Sequence, residues 1–449
     1  MLIVLAVIAF LIFTALASRQ LTFTRQWVNP MTVFNIPHAF LLICYLLTLS
    51  SGTITFQIGS TALILLAAGY ISFNAGVFLV ATVSNVTTRA SKPTPPSIDS
   101  ISVNRVLFVS YFLFFALALS IAYKSLVLVQ QYGVFYTQIA IVRNDFYTGK
   151  FDFSAAQAVA YVSTHFLAIN LGIVIGCGQK IKRRFLLASL LLALANDASN
   201  GGGILTFSCL MLFFISWAVA KDRLCPIRFS FKFLGRALLF GAGLAAVIFS
   251  LLFFRSDGVI GGITSPYDII TTYAGGDIAS FGYFVDNPYP SSPAGRSTFG
   301  GLYSTADAVL SFFGASFLSI PESADYVADI GYNNSLSANV GFNTSIYMAH
   351  LFADFGGAGV VVLSFLLGMA AMWTMTRSRQ VFQIVRLQYF ALMLFACFIS
   401  IRHVLTEGKF FWLLLLAFPA INRLSKSRRK VRCAAPTLPD PISPSRPIR

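Results

Sequence analysis

Long apolar runs separated by short charged segments constrain this chain more than any other feature. Of its 449 residues, 57% are hydrophobic and only 11% are charged. A helix that crosses a membrane needs about 20 mostly apolar residues. We therefore predict an all-α polytopic membrane protein of about 11 transmembrane helices with no sizeable soluble domain. The predicted spans are residues 2–17, 36–50, 60–83, 106–123, 156–177, 185–198, 203–220, 237–254, 357–376, 387–401 and 410–422.

The segments between these runs alternate in charge, and this alternation predicts which side of the membrane each one occupies. One set of segments holds 25 of the 32 Lys and Arg residues, and the other set holds 13 of the 16 Asp and Glu residues. Because basic loops stay in the cytoplasm, the N-terminus is predicted to be periplasmic and the C-terminus cytoplasmic. The net charge of +16 then comes from basic segments on the cytoplasmic side of the membrane, so no nucleic-acid partner is predicted.

Composition divides the chain into four parts. Residues 1–254 form an N-terminal transmembrane bundle, 255–345 a large periplasmic loop, 346–422 the C-terminal transmembrane helices and 423–449 a basic, Pro-rich cytoplasmic tail. Loops of this length are usually functional or disordered, and the many aromatic residues of this one favour a folded loop. Residues 2–17 lack a basic start and a small-residue cleavage site, so they are predicted to remain as the first helix.

No pattern in the sequence predicts a cofactor or a metal ion. The six cysteines stand singly, without a CxxC pair or a neighbouring His, so they indicate neither a disulfide framework nor a zinc site. No Walker motif or other nucleotide-binding loop is present. The predicted chemistry is therefore carried by side chains alone.

The stretch from Asn343 to Gly368 carries a polar cluster into an apolar run. His350 and Asp354 are four residues apart and so share one helix face, and Phe355-Gly356-Gly357-Ala358-Gly359 forms a backbone that can kink. Ionisable residues at the mouth of a span are costly unless they face protein or water, which makes them functional candidates. The alternative is a helix end that lies in the headgroup layer.

This stretch resembles the C-terminal signature of a known family. The residues that carry the resemblance are Asn343-Thr344, Asp354-Phe355-Gly356, Gly359 and the apolar run that ends at Gly368. They resemble the bacterial oligosaccharide repeat-unit polymerases, which are the Wzy-type O-antigen and capsule polymerases. The segment Tyr273–Phe281, and Arg296-Ser297-Thr298-Phe299 followed by Gly300 and Leu302, resemble the large outer loop of the same family. The likeness covers roughly residues 140 to 425.

The resemblance implies a GT-C-like glycosyltransferase in the bacterial inner membrane that needs no metal. Such an enzyme joins repeat units carried on undecaprenyl pyrophosphate at the periplasmic face. Its implied partners are that lipid-linked oligosaccharide, the bilayer, a chain-length regulator and a flippase. Two alternatives stay open: an O-antigen ligase, and a transporter or flippase of lipid-linked oligosaccharide.

The implied reaction needs positive charge for the departing pyrophosphate and a base for the attacking hydroxyl. Arginine grips phosphate through a planar fork, and the candidates are Arg143, Arg255, Arg296 and Arg402. The candidate bases are His350, Asp354 and Glu407, and His165 and Asp277 are further candidates in the same compartment. Aromatic rings among polar groups suit sugars, and the candidate sugar-binding residues are Tyr273, Asp277, Tyr303 and Asn343. Alternatively, the loop's rings form its own small core and residues 402–409 form a plain charged hairpin.

Two further segments lie beside the predicted outer surface. Leu126 to Val142 is predicted to lie on the membrane surface as an amphipathic helix. The turn from Asn196 to Gly203 is predicted to cap the next helix, with its Asn and Ser residues as the N-cap candidates. Its three glycines either expose N–H groups to a phosphate or form only a tight turn, and the arginine that the Wzy-type family often carries there is absent.

Overall fold

The computed structural model describes residues 2–21, 28–52, 54, 56–88, 100–133, 154–199, 204–224, 266–288, 295–312, 345–380, 383–401 and 409–425. The regular secondary structure of these ranges is entirely helical. In chain order the helices are α1 (Leu2–Leu21), α2 (Pro30–Ser50), α3 (Ser60–Thr88), α4 (Ser100–Tyr132), α5 (Ser154–Gly176), α6 (Arg183–Ser199), α7 (Ile204–Leu224), α8 (Pro266–Asp286), α9 (Arg296–Phe312), α10 (Tyr347–Gln380), α11 (Ile384–Ile399) and α12 (Lys409–Ser425).

Six of the described helices are long and apolar enough to cross a membrane, so the chain is a multi-pass membrane protein whose described part is helical. Their apolar stretches are Pro30–Ser50, Ser60–Ser84, Val103–Tyr132, Val159–Gly176, Leu205–Arg223 and Tyr347–Arg379. Two shorter apolar helices, Leu2–Ser18 and Ile384–Ile399, coincide with the predicted first and tenth spans. The predicted spans 185–198 and 410–422 fall within α6 and α12. The predicted span 237–254 lies outside the described residues.

Helices α2 and α4 extend well past their predicted bounds. Helix α2 begins at Pro30 because Asn29 caps it, with the Thr32 amide donating to Asn29 Oδ1 at 3.0 Å, and Pro suits the first turn of a helix. Helix α4 continues to Tyr132. Residues 126–132 are therefore the last turns of α4, and the prediction that a separate surface helix begins at Leu126 is wrong. Residues 134–142 lie outside the described ranges.

Helices α3 and α10 pack face to face through glycine. Gly76 lies against the backbone of Phe365, and Gly368 lies against the backbone of Phe73. Further along the same interface, Leu65 contacts Gly357 and Gly69 contacts Val360. Residue numbers therefore increase in the same direction along both helices, so the two helices are parallel. Small residues let transmembrane backbones approach closely, which maximises van der Waals contact where lipid offers no hydrophobic driving force.

Helices α5 and α7 form a second parallel pair of the same kind. Gly172 packs against Phe213 and Ser216, and Gly176 packs against Trp217 and Ala220. The spacing Gly-x-x-x-Gly puts both glycines on one face of α5. The charge alternation predicts that the third, fifth, seventh and ninth spans run in one direction, and these two pairs have the relative directions that it requires.

Basic side chains collect at one end of the helices, which we call the Arg379 end. There the Arg223 guanidinium donates to the Arg379 carbonyl, Asp222 interacts electrostatically with Arg379, and Arg377 lies 5.5 Å from the centre of the Trp373 ring. Gly356 marks the opposite end of the part of α10 that packs along α3. We call it the Gly356 end.

Buried amide pairs fix how the helices register against one another. Asn35 of α2 and Asn74 of α3 exchange two hydrogen bonds, at 2.8 and 3.1 Å. Gln388 of α11 donates to Asn170 of α5 at 2.8 Å. Because an amide in hydrocarbon must find a partner, each pair favours one alignment of its two helices.

Part of the segment predicted as the large loop packs into the bundle as helix α8. Gly275 lies against Tyr45 and Thr48 of α2, and Ile278, Ala279 and Phe281 are fully buried. At the end of α8 the Asp286 carboxylate lies beside Gly59, immediately before α3. A carboxylate is stabilised near a helix N-terminus, so this contact ties the loop to the Gly356 end.

Candidate functional site

Helix α10 is two helical arms joined by a break at Gly356. That residue has φ 62° and ψ −159°, a conformation open mainly to glycine. The kink predicted for Phe355–Gly359 is therefore present, and it divides α10 into a short arm (residues 347–355) and a long arm (residues 357–380).

The short arm folds back along the long arm. Tyr347 and Ser364 stand about 13 Å and 12 Å from Gly356 along their own arms, at 1.5 Å per residue, yet their hydroxyls are 2.9 Å apart. Met348 and Val360 both contact Gly69 of α3, so these two residues lie at the same depth along α3. A helical hairpin therefore precedes the predicted span 357–376.

The tip of this hairpin caps helix α9. The Asp354 carboxylate accepts the Ser297 amide at 3.1 Å and the Thr298 amide at 2.5 Å. Helix N-termini leave such N–H groups without intrahelical partners, and their dipole favours a negative charge. The capping carboxylate therefore comes from a segment 56 or 57 residues further along the chain.

His350 lies one turn deeper on the same face of the short arm. Its Nδ1 is 2.8 Å from Ser297 Oγ, and its carbonyl accepts the Thr298 hydroxyl at 3.3 Å. His350, Ser297 and Thr298 are each at most 4% exposed, whereas Asp354 is half-buried. The predicted common face of His350 and Asp354 is confirmed, and Ser297 is the residue that joins them.

Aromatic rings cover the tip of the hairpin. Phe355 and Phe299 meet edge to face with ring centres 6.4 Å apart. Gly295 has φ 76° and packs directly on Phe355, where a side chain would collide. The start of α9 is therefore held by both polar and aromatic contacts.

The beginning of the hairpin joins two other elements. The Ser345 hydroxyl donates to the Asp277 carbonyl of α8 at 3.4 Å, and the Tyr347 amide donates to the Ser400 carbonyl, just beyond α11, at 3.0 Å. Ser400 is therefore close to the start of the short arm. Four segments converge here: α8, the start of α9, the short arm and the end of α11.

The structure brings together part of the predicted site. His350, Asp354 and Asp277 lie in this region, and Asp277 is buried at 3% exposure. Arg296 is the first residue of α9 and Tyr273 lies in α8; at these two positions the structure describes the backbone. Tyr303 is partly exposed and lies two turns into α9. Predicted site residues outside the described ranges are Arg143, Arg255, Asn343, Arg402 and Glu407.

Ser297 and Thr298 are site residues that the sequence analysis named only as part of the family resemblance. They stand at the first turn of α9, where Ser and Thr commonly make capping contacts. A Ser-Thr pair after a glycine is a detectable helix-start signal. The distant carboxylate that completes the cap leaves no trace in local sequence.

A second polar cluster lies between α4, α5 and α6. Lys124 is fully buried, and its ammonium donates to Gln157 at 2.8 Å and to Asn196 at 3.1 Å. The neighbouring Asp197 accepts the Thr206 amide at 2.7 Å and so caps α7. This segment therefore caps the next helix, as predicted, but the contact comes from Asp197 and not from the Asn or Ser candidates. The three glycines lie outside the described residues.

The arrangement around His350 can support proton transfer. When Nδ1–H donates to Ser297 Oγ, the neutral ring has its basic lone pair on Nε2. In that tautomer His350 can accept a proton from a hydroxyl group. Asp354 accepts the Ser297 amide and thereby fixes the position of the Ser297 hydroxyl, which is the partner of the His350 ring. Among the described residues no three His, Cys, Asp or Glu side chains are grouped as a metal site would require.

Comparison with protein-family models, with curated proteins and with solved structures gives no match to this chain.

Proposed function

We propose that this protein is an oligosaccharide repeat-unit polymerase of the Wzy type in the bacterial inner membrane. It joins undecaprenyl-pyrophosphate-linked repeat units into O-antigen, capsule or exopolysaccharide at the periplasmic face. The observation that carries the proposal is the contact of Ser297 and Thr298 with His350 and Asp354. Two segments that resemble this family, far apart in sequence, meet there.

The site supplies a base to the proposed reaction. His350 takes the proton of the attacking sugar hydroxyl at Nε2, while Ser297 and Asp354 position it. The departing pyrophosphate is stabilised by outer-face arginines, of which Arg296 begins α9 beside this base. Stabilising charge that develops on the leaving group is commonly the largest contribution to catalysis.

The arrangement of charge favours an enzyme over a flippase. A flippase moves a charged headgroup through the membrane, so polar groups along a central path are expected. In the described residues the Asp354 carboxylate lies at the hairpin tip, one turn above His350, and the buried polar pairs Asn35–Asn74 and Asn170–Gln388 are neutral amides that bond to each other. An O-antigen ligase shares the chemistry and differs in its acceptor, so a cellular test must separate them.

Deletion of the gene, followed by gel analysis of surface polysaccharide, is the test of the proposed function. We expect the long ladder to disappear while one repeat unit stays attached to its acceptor, because attachment of a single unit needs no polymerase. Complementation with the intact gene is the control. Loss of every attached repeat would contradict the proposal and point to a ligase or a flippase.

The proposed orientation places the Arg379 end in the cytoplasm, and reporter fusions test it directly. A reporter fused after Arg432 is expected to give a cytoplasmic signal, and one inserted at Ser291 a periplasmic signal. The reason is the unequal division of Lys and Arg between the two sides. The same reporter exchanged between the two positions is the control. Reversed signals would put His350 and Asp354 on the wrong face for a lipid-linked periplasmic substrate.

A further inference from the structure

An apolar groove of about 440 Å³ runs between α5, α6 and α7. Its volume is within the roughly 300–1,000 Å³ range of pockets that bind small molecules. Leucine and phenylalanine side chains from all three helices line it, including Leu167, Leu171, Leu186, Leu190, Leu210 and Phe213. Apolar side chains dominate the lining, so the groove suits a hydrocarbon chain.

The shape of the groove suits a single extended chain. Arg183 and Ala193 both line it, so it follows α6 for about 15 Å at 1.5 Å per residue. Leu187 and Leu191 of α6 are 58% and 55% exposed, which shows that α6 is peripheral. An open apolar groove within the hydrocarbon layer is filled by the surrounding chains, since an unfilled one would lose dispersion contacts.

Positive charge marks one end of the groove. Arg183 lines that end, and Lys180, Lys182 and Arg184 are exposed beside it in the same short segment. Gly176 of α5 packs near Lys221 of α7, so all of these cations belong to the Arg379 end. Clustered Lys and Arg at a membrane surface attract anionic lipid headgroups.

We propose that this groove binds one acyl chain of an anionic phospholipid, with the lipid phosphate at Arg183. Arginine donates to phosphate in a bidentate fashion, and the apolar walls select a hydrocarbon chain. The headgroup position is at the opposite end of the helices from the hairpin tip. The ligand is therefore a lipid of the other leaflet, distinct from the proposed lipid-linked substrate, and the inference stands independently of the proposed function.

Native mass spectrometry of the detergent-purified full chain tests the charge requirement. With equal amounts of phosphatidylglycerol and phosphatidylethanolamine added, we expect preferential retention of one phosphatidylglycerol. Arg183→Gln is expected to reduce this retention about fivefold, the effect of roughly one cation near a lipid surface. Arg184→Gln is the matched control, because Arg184 is the next residue, carries the same charge and does not line the groove. Equal retention of both lipids by the unaltered protein would overturn the proposal.

A second pair of variants tests the groove itself. Leu190→Trp places a large ring in the groove and is expected to abolish retention, whereas Leu191→Trp on the exposed neighbouring position is expected to leave it unchanged. An equal loss in both variants, or in neither, would contradict the assignment. Undecaprenyl phosphate, added as a competitor, is expected not to displace phosphatidylglycerol. Displacement at equal concentration would assign the groove to the substrate's chain instead.

Discussion

Asp354→Asn is expected to eliminate long polymer in cells that still contain a normal amount of the protein. The NH2 group of asparagine cannot accept a hydrogen bond. One of the two contacts with the Ser297 and Thr298 amides is therefore replaced by an NH2 group that faces a peptide N–H. Loss of a cap costs only about 0.5–2 kcal/mol of stability. A displacement of about 1 Å at a reacting group can cost roughly 100-fold in rate. Polysaccharide gels and immunoblots of the same cells measure both quantities.

Two further variants separate positioning from proton transfer. His350→Gln keeps a polar group opposite Ser297 but removes the base, so a rate loss of about 10²- to 10⁴-fold is expected. Asp286→Asn is the matched control, because Asp286 is an exposed carboxylate beside another helix start and is outside the proposed site. Normal chain length in both Asp354→Asn and His350→Gln would show that the pair is structural, and Glu407 would be the next candidate base.

Gly368→Leu is expected to prevent the protein from reaching a stable fold. A side chain there would overlap the carbonyl oxygen of Phe73, and its other near neighbours are also backbone atoms. Even extra methylene groups in a packed core cost about 1–3 kcal/mol, and here the whole of α3 must separate from α10. Immunoblotting of membranes and size-exclusion chromatography of detergent extracts measure the loss.

Gly357, in the same arm of α10, provides the control for that experiment. Its Cβ position meets only the tip of the Leu65 side chain, at 3.0 Å, and a flexible side chain can move aside. Gly357→Ala is therefore expected to accumulate at the normal level and to elute normally. A Gly368→Leu protein that behaves in the same way would refute the parallel glycine contact between α3 and α10.

Membrane helices were predictable from the sequence because their signal is local and long. A run such as residues 60–83 is apolar at nearly every position, and no soluble fold accommodates many such runs. The bounds were less predictable. Helix α4 continues past its predicted end at residue 123 because Lys124, which looks like a loop residue, is satisfied inside the bundle by Gln157 and Asn196.

The candidate site was predictable only in part. The four-residue spacing of His350 and Asp354 and the glycines after them are local features, and both the shared face and the kink are present. The partners Ser297 and Thr298 are joined to them by contacts between distant segments. The backward fold of the short arm depends on Tyr347 meeting Ser364, and no periodicity in the sequence encodes that contact.

The parallel glycine contact also determines when this protein can finish folding. The two helices joined by Gly76 and Gly368 are separated by residues 89 to 346, and chains emerge from the ribosome with the N-terminal part first. During most of synthesis, α3 is therefore in the membrane before α10 has been made, and the face of α3 that contains Gly76 lacks its partner helix. A chain that stops before α10 leaves that face without its partner, so truncated products are incomplete at the centre of the bundle and are natural targets for membrane quality-control proteases.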